Sequence, residues 1–355
     1  MEQHHNLNTT LHLLTQPAFL VDQGLITAVN ASAAARLLQP GQQFVELLVT
    51  GSEEYESFTE GSLYVTLALN GMTQDACVIR MDGGDLVAVE PAQSHEALQA
   101  LDLAATKLRK HLSDLMFTAE QFLPVAAGKD EHLQMQAAQI NRQMYQMLRC
   151  ICNMNHATEC TLPGLMESTQ ICSFLQEILD KAAAQTPLIH SRLTYELPNE
   201  AIFTHVNRDN LERAVLHLVS NALKHAPEGS PVQLRMVKKH QRLYCSVINT
   251  LSDPEHWVPP HNCFLRQPGL EDPSKGIGLG MLLLQHVAAE HGGALLVERV
   301  DDSVRFTITL PITRSGNTQV RSPMHAFDYA GEHDHCLVEL SDVLPAEVYK
   351  PENLK

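Results

Sequence analysis

Basic residues are scarce in this chain. Its 355 residues hold 25 Lys and Arg against 41 Asp and Glu, a formal net charge of −16. That deficit argues against nucleic acid as a partner, because a phosphate backbone is held by clustered cations. It argues equally against an anionic membrane surface. The 19 histidines offset the charge only at low pH. No run approaches the ~18–20 apolar residues that cross a bilayer. The start, Met-Glu-Gln-His-His, is too polar for a secretory signal. The expectation is a soluble, cytoplasmic protein. A regular cysteine framework is missing too, and eight unpatterned cysteines suit a reducing compartment. Cys150, Cys152, His156 and Cys160 form the one metal-like cluster. Its first pair is separated by a single residue, whereas zinc pairs usually leave two to four, so buried thiols are the simpler reading.

What is present is enough apolar residue, 44%, to build cores in two or three domains. Residues 13–93 alternate short apolar runs with turn signals. Pro17–Asp22 and Leu25–Val29 read as strands about a Gln-Gly turn, and Asn30 reads as the cap of a helix through Leu38. Three further strands follow at Ser62–Ala68, Asp75–Arg80 and Leu86–Glu90, the last two joined by the hairpin turn Met81-Asp-Gly-Gly-Asp. There is no cysteine motif of the flavin-adduct kind and no persuasive haem ligand.

Residues 95–158 carry the clearest periodicity. Leu101, Ala105, Leu108, Leu112, Leu115, Ala119 and Phe122 step by four and three; after Pro124–Gly128 the pattern resumes at Leu133, Ala137, Ile140, Met144, Met147, Ile151 and Met154. Two helices of about three heptads, joined by a short loop, have a seam too narrow to close alone. The spacing predicts pairing with a second copy as a four-helix bundle, or else packing onto neighbouring domains.

The chemistry lies further on. Gly276-Ile-Gly278-Leu279-Gly280-Met281 removes side chains where a backbone must approach something closely, and an apolar helix follows with Met281, Leu284, Val287 and Ala288 on one face. A glycine turn opening a helix offers free N–H groups and a positive dipole end, which suits phosphate. Upstream, Leu211, Val215, Leu218 and Leu223 share a helix face, with Asp209 or Asn207 as a cap. Asn221 and Lys224 lie one turn apart on that helix. A carboxamide oxygen and an ammonium near a phosphate site are what a magnesium–nucleotide complex needs.

In this order and spacing the two stretches resemble the GHKL ATP-binding domain of sensor histidine kinases. The asparagine box matches at Asn221, Ala222 and Lys224, the second glycine box at GIGLGM with His291-Gly-Gly after it, and Val304–Pro311 looks like that domain's last strand. The N-terminal pattern, with Phe19-Leu-Val-Asp through Val29-Asn30-Ala-Ser-Ala-Ala, resembles a PAS sensor. The helical hairpin between them matches the family's dimerisation and phosphoacceptor element. The fold expected is therefore α+β multidomain: a PAS-like α/β sensor at 1–93, a hairpin at 94–158 forming a dimeric four-helix bundle, a GHKL α/β sandwich at 159–312 and an acidic tail at 313–355. The tail reads as strand-like at Cys336-Leu-Val-Glu-Leu, and either docking onto the body or binding a partner fits it. The resemblance implies ATP and Mg2+ as cofactors. It implies Asn221 as the Mg2+ ligand and Asn221, Lys224, His225, Asn249, Gly276, Gly278, Leu279 and Gly280 as the nucleotide set. It implies a homodimer through the hairpin, with a response regulator or partner kinase beyond it.

The departures from the family are as informative. His217 stands for the first asparagine of its box, and Asn249 for the aspartate that binds adenine, with Leu251 for the glycine after it. Residues 252–275 would be the nucleotide lid, with a faint phenylalanine-box likeness at Phe264-Leu-Arg266. In the hairpin, Thr106-Lys-Leu-Arg-Lys-His111-Leu112 aligns with His-Glu-Leu-Arg-Thr-Pro-Leu, so Thr106 occupies the phosphoacceptor position and Lys107 that of its acid. His111 is the one alternative phosphoacceptor in the body of that helix. Four functions follow: a nucleotide-binding signalling dimer without the usual autophosphorylation, an active kinase using His111, a nucleotide-free interaction scaffold, or an ATPase in which Glu212 activates water.

Overall fold

The computed structural model describes residues 11–81, 83–90, 95–127, 130–159, 165–185, 192–254, 257, 279–313 and 333–354. The chain forms two compact units. The first holds residues 1–93, 237–246 and 253–311, the second residues 94–236, 247–252 and 312–355. Among the described residues no helix is long and apolar enough to cross a membrane.

In the first unit the alternating N-terminal stretches form strands β1 (Ala18–Asp22), β2 (Leu25–Val29), β3 (Gly61–Leu69), β4 (Met72–Met81) and β5 (Gly84–Val89). They are the strands expected from the sequence, within two or three residues at each end. Helix α1 is shorter than expected. It covers only Ala31–Ala34, with the Asn30 side chain accepting from the Ala33 amide at 2.9 Å. Leu37 then turns into positive φ and ends it. A helix that the sequence did not announce, α2 (Ser52–Ser57), follows. The sheet order is β2-β1-β5-β4-β3, and it continues through β11 (Leu295–Val300) and β12 (Ser303–Pro311). Strand β3 pairs antiparallel with β11, Tyr64 opposite Leu295. Gly61 makes that approach possible: a Cβ there would stand 2.0 Å from the Val297 carbonyl oxygen. One core serves both sequence segments, since Phe19, Phe44, Leu63 and Val78 pack in the same cluster as Ala294 and Leu296.

The second unit contains the helical hairpin, α3 (His95–Ala127) and α4 (Glu131–Glu159). Of the loop expected at Pro124–Gly128, Pro124–Ala127 instead form the last turn of α3, and Gly128 lies outside the described residues. Proline deletes only one bond of a ladder that is about to end, so the cost is small. Ala105, Leu112, Met116 and Leu123 of α3 and Ala137, Met144, Leu148 and Ile151 of α4 are buried, and the two helices pack against each other. The same unit holds β6 (Glu167–Gln170), α5 (Ile171–Gln185), β7 (Arg192–Glu196), β8 (Phe203–Val206) and α6 (Arg208–His225). Strands β6 and β8 pair antiparallel, Glu167 opposite Val206. Strand β7 pairs in parallel with residues 231–235 of β9 (Pro231–Lys239). Strand β10 (Arg242–Thr250) passes from the first unit into the second. In the first unit α7 (Leu279–Glu290) buries Leu284, Val287 and Ala288, as its spacing predicts, while Met281 of the same expected face is only half-buried.

The C-terminal segment corrects the sequence reading most sharply. Cys336-Leu-Val-Glu-Leu is not a strand. It forms a helix, α8 (His335–Glu339), capped by Asp334, whose carboxylate accepts from the Leu337 amide at 3.1 Å. Short apolar runs of this length do not separate strand from helix by periodicity alone.

Candidate functional site

Helix α6 is built from both ends. Asn207 caps it, accepting from the Asn210 amide at 3.2 Å, and Lys224 and His225 close the last turn, where cations suit the helix dipole. Leu211, Val215, Leu218 and Leu223 are buried, as their spacing requires. Asn221 is half-buried near the C-terminal end, with Lys224 exposed one turn on. Ser252 donates its hydroxyl to the His225 carbonyl at 3.0 Å, which ties the end of β10 to the end of α6. Asn249 is buried on β10, and its amide donates to the Thr250 carbonyl at 2.9 Å. The second unit thus holds Asn221, Lys224, His225 and Asn249. Leu279 and Gly280 open α7 in the first unit, both half-buried. Gly276, Gly278 and most of the expected lid, including Phe264–Arg266, lie outside the described residues.

The sequence did not anticipate what faces α6. Glu339 of α8 is fully buried and lies between two guanidiniums: Arg149 of α4, Nε to Oε2 3.1 Å, and Arg213 of α6, Nε to Oε1 3.2 Å. His217 of α6 stands 3.6 Å from Oε2, beyond hydrogen-bond distance, while Arg149 reaches its Nδ1 at 3.1 Å. A guanidinium can only donate, so Nδ1 accepts and the ring proton sits on Nε2. Burial lowers the His217 pKa, aided by the two positive guanidiniums and opposed by Glu339, so the ring is neutral. Burial alone would raise the Glu339 carboxyl. The Arg149 and Arg213 cations on its two oxygens outweigh it and hold the group well below the ordinary carboxylate value. Arg149 also pairs with Asp342 at 3.0 Å, and Arg213 donates to the Asn153 side-chain oxygen at 2.7 Å. Two cations and two carboxylates cancel, and this balance is what lets charge be buried there.

This geometry gives the sequence's departure at His217 a physical account. The position that the family resemblance assigns to an asparagine near magnesium is turned into the α4–α8 charge cluster, where a neutral ring accepts from Arg149. It is no metal ligand here. Glu212, the candidate water-activating base, faces His335 of α8 at 3.4 Å. The tail could have been suspected from lone charges in apolar settings. Glu339 interrupts Cys-Leu-Val-Glu-Leu, and Arg213 and Arg149 sit among apolar neighbours on α6 and α4.

On α3, Thr106 and His111 are both exposed. Five residues separate them, about 500° of helical rotation, so they point some 140° apart. Cys152 is buried beside Arg109, whose guanidinium donates to its sulfur at 3.4 Å, and burial pushes the thiol up to about 11. A thiol so protonated is a poor metal ligand. Among the described residues no group of three or more His, Cys, Asp or Glu is placed to hold a metal ion. Cys160 and the His156 side chain lie outside them.

Residues 206–314 match the family described as histidine kinase-, DNA gyrase B- and HSP90-like ATPase. Among curated proteins the chain is 25% identical over 224 residues to the sensor histidine kinase RppB of Synechocystis, covering 59% of this chain and 48% of that one. It is 27% identical over 152 residues to histidine kinase P4 of Formosa agariphila, covering 41% of this chain and 11% of that protein. The matches thus span less than half the length of these relatives. A solved structure of full-length ShkA in complex with AMPPNP aligns with 62% of this chain and 47% of that one at 15% identity and a TM-score of 0.47.

Proposed function

We propose, for a chain that belongs to the histidine kinase family through its GHKL ATP-binding domain, that it binds ATP with magnesium and signals as a dimer without the family's usual histidine autophosphorylation. The observation that carries the nucleotide reading is the match over residues 206–314 together with the half-buried Asn221 and exposed Lys224 at the end of α6. Asn221 would supply one oxygen to the magnesium ion, with phosphates and water completing its shell. Lys224 would meet the phosphates. Asn249 would accept from adenine in place of an aspartate, without the charge. Losing one charged hydrogen bond costs about 1.5–3 kcal/mol, so affinity falls roughly ten- to a hundredfold below that of a site with the full set.

The dimer reading rests on a second stripe of the hairpin. Leu108, Leu115 and Phe122 recur every seven residues on α3 and are exposed, as do Leu133, Ile140 and Met147 on α4. The inner seam is already closed within one chain. A second heptad stripe left in solvent is what a second hairpin covers in a four-helix bundle. The N-terminal strand order supports a PAS-like input domain, and a response regulator or partner kinase is the partner expected downstream. The cytoplasm is the location proposed.

The phosphoryl-transfer reading rests on Thr106. A hydroxyl of high pKa with Lys107 beside it lacks a base to take its proton. His111 points away from the direction Thr106 marks. Incubation with γ-labelled ATP and magnesium, followed by acid treatment, tests this. Binding of nucleotide by calorimetry, lost in Asn221→Ala, with no acid-labile protein-bound phosphate, is the expected result. Acid-labile label that disappears in His111→Ala and survives in Thr106→Ala establishes the active kinase instead. No binding at millimolar nucleotide leaves the scaffold reading.

A further inference from the structure

The tail brings a carboxylate to the lysine that the nucleotide reading uses. Asp342 Oδ2 lies 3.5 Å from Lys224 Nζ at the end of α6, and the same oxygen lies 3.0 Å from Arg149 Nη1. Asp342 does not reach Lys224 as a loose side chain on a free end. Arg142 of α4 donates to the backbone carbonyls of Ser341 and Asp342, at 3.1 Å each, and Gln146 donates to Ser341 at 3.1 Å. On one side of this loop Glu339 is locked between Arg149 and Arg213. On the other, Leu344 and Tyr349 are fully buried, and Asn141 donates to the Tyr349 carbonyl at 2.9 Å. The loop is therefore fixed on α4 by bonds that do not involve Lys224. The carboxylate is held in place independently of Lys224.

We infer that Asp342 is a built-in competitor for phosphate at Lys224, so that the docked C-terminal segment sets a low resting affinity for nucleotide. The inference rests on the nucleotide reading of α6. An incoming triphosphate meets an ammonium already paired and a fixed anion beside it. It must displace the Lys224 side chain from Asp342 and then bear the like charge that remains. Arg149 holds part of that charge but does not remove it, because its guanidinium is shared with Glu339 and His217. Lys224 and Asp342 keep roughly a third of their side-chain surface open, 39% and 35%, so a ligand can reach the pair and salt can screen it.

Titration of the unaltered chain and of Asp342→Asn with magnesium–ATP by calorimetry, at low and at high salt, tests this. Asparagine keeps the size of the side chain and removes its charge. The expected result is roughly three- to tenfold tighter binding in Asp342→Asn at low salt, with the difference shrinking at ~0.5 M salt, where the Debye length is only a few ångströms. Asp342→Glu, which keeps the charge, should bind like the unaltered chain. Equal affinity of Asp342→Asn and the unaltered chain overturns the competitor role. Weaker binding of Asp342→Asn also overturns it and makes Asp342 a positioning residue for Lys224. Absence of binding by every variant, with unchanged circular dichroism, refutes the nucleotide reading itself and this inference with it.

Discussion

Single residues in this chain carry charge where the sequence pattern expects apolar side chains. Glu339 is the clearest case, at 0% exposure with two guanidiniums on it. Removing one partner of a buried pair leaves an uncompensated charge, which costs ~3–5 kcal/mol. Glu339→Gln is expected to lose about that much stability in urea-induced unfolding; a loss below ~1 kcal/mol shows that the cluster is not desolvated. The same residues set a pH dependence. His217 has its folded pKa lowered from an unfolded value of ~6.5, and Glu339 from ~4.3. Below each unfolded pKa the unfolded chain binds a proton that the folded chain refuses, so both groups contribute stability at neutral pH that is lost on acidification. Stability should decline from about pH 6.5 downward and more steeply below about pH 4.5. His217→Gln is expected to remove the upper part of that decline, read from unfolding midpoints between pH 7 and 5. An unchanged profile in that variant assigns the decline to other groups.

Among the elements, the hairpin separates two stripes that the heptad pattern alone treats as one. Leu112 is 3% exposed and packs within the chain, whereas Leu108, one turn earlier, is 46% exposed. The two positions should therefore fail differently. Leu108→Asp is expected to yield a folded monomer by light scattering, with its helical circular dichroism retained. Leu112→Asp buries an unpaired charge in the inner seam and is expected to unfold the hairpin. If Leu108→Asp remains dimeric, the exposed stripe is not the dimer surface. The heptads were legible because side chains three and four apart must share a face whatever the fold. Which of two adjacent stripes is covered by the chain's own helix depends on how α3 rolls against α4, and periodicity does not specify that.

In the whole molecule, the C-terminal segment acts as part of the second unit's core, though its composition reads as an acidic tail. Val338, Leu340, Leu344 and Tyr349 are completely buried. Burying a large apolar side chain contributes ~1.5–3 kcal/mol, so removal of residues 334–355 should cost several kcal/mol, besides freeing Arg149 and Arg213 of their carboxylate. A fall in Tm on the order of 10 °C is expected by calorimetry; an unchanged Tm shows that the segment is dispensable to the fold. Local signals in the sequence determined much of the rest. Period-two and period-3.6 patterns located most strands and helices, and Asn207 capped α6 where its side-chain chemistry predicts. The glycine and asparagine boxes were legible as family resemblances, since each is a contiguous stretch written within one or two turns, and the family match over residues 206–314 covers both. The tertiary structure alone decided the pairing of β3 with β11, the role of His217 and the docking of α8. Glu339 meets Arg213 across 126 residues of sequence and Arg149 across 190. At such separations no periodicity links the partners, because what selects them is the need of each buried charge for an opposite one once the chain has closed around it.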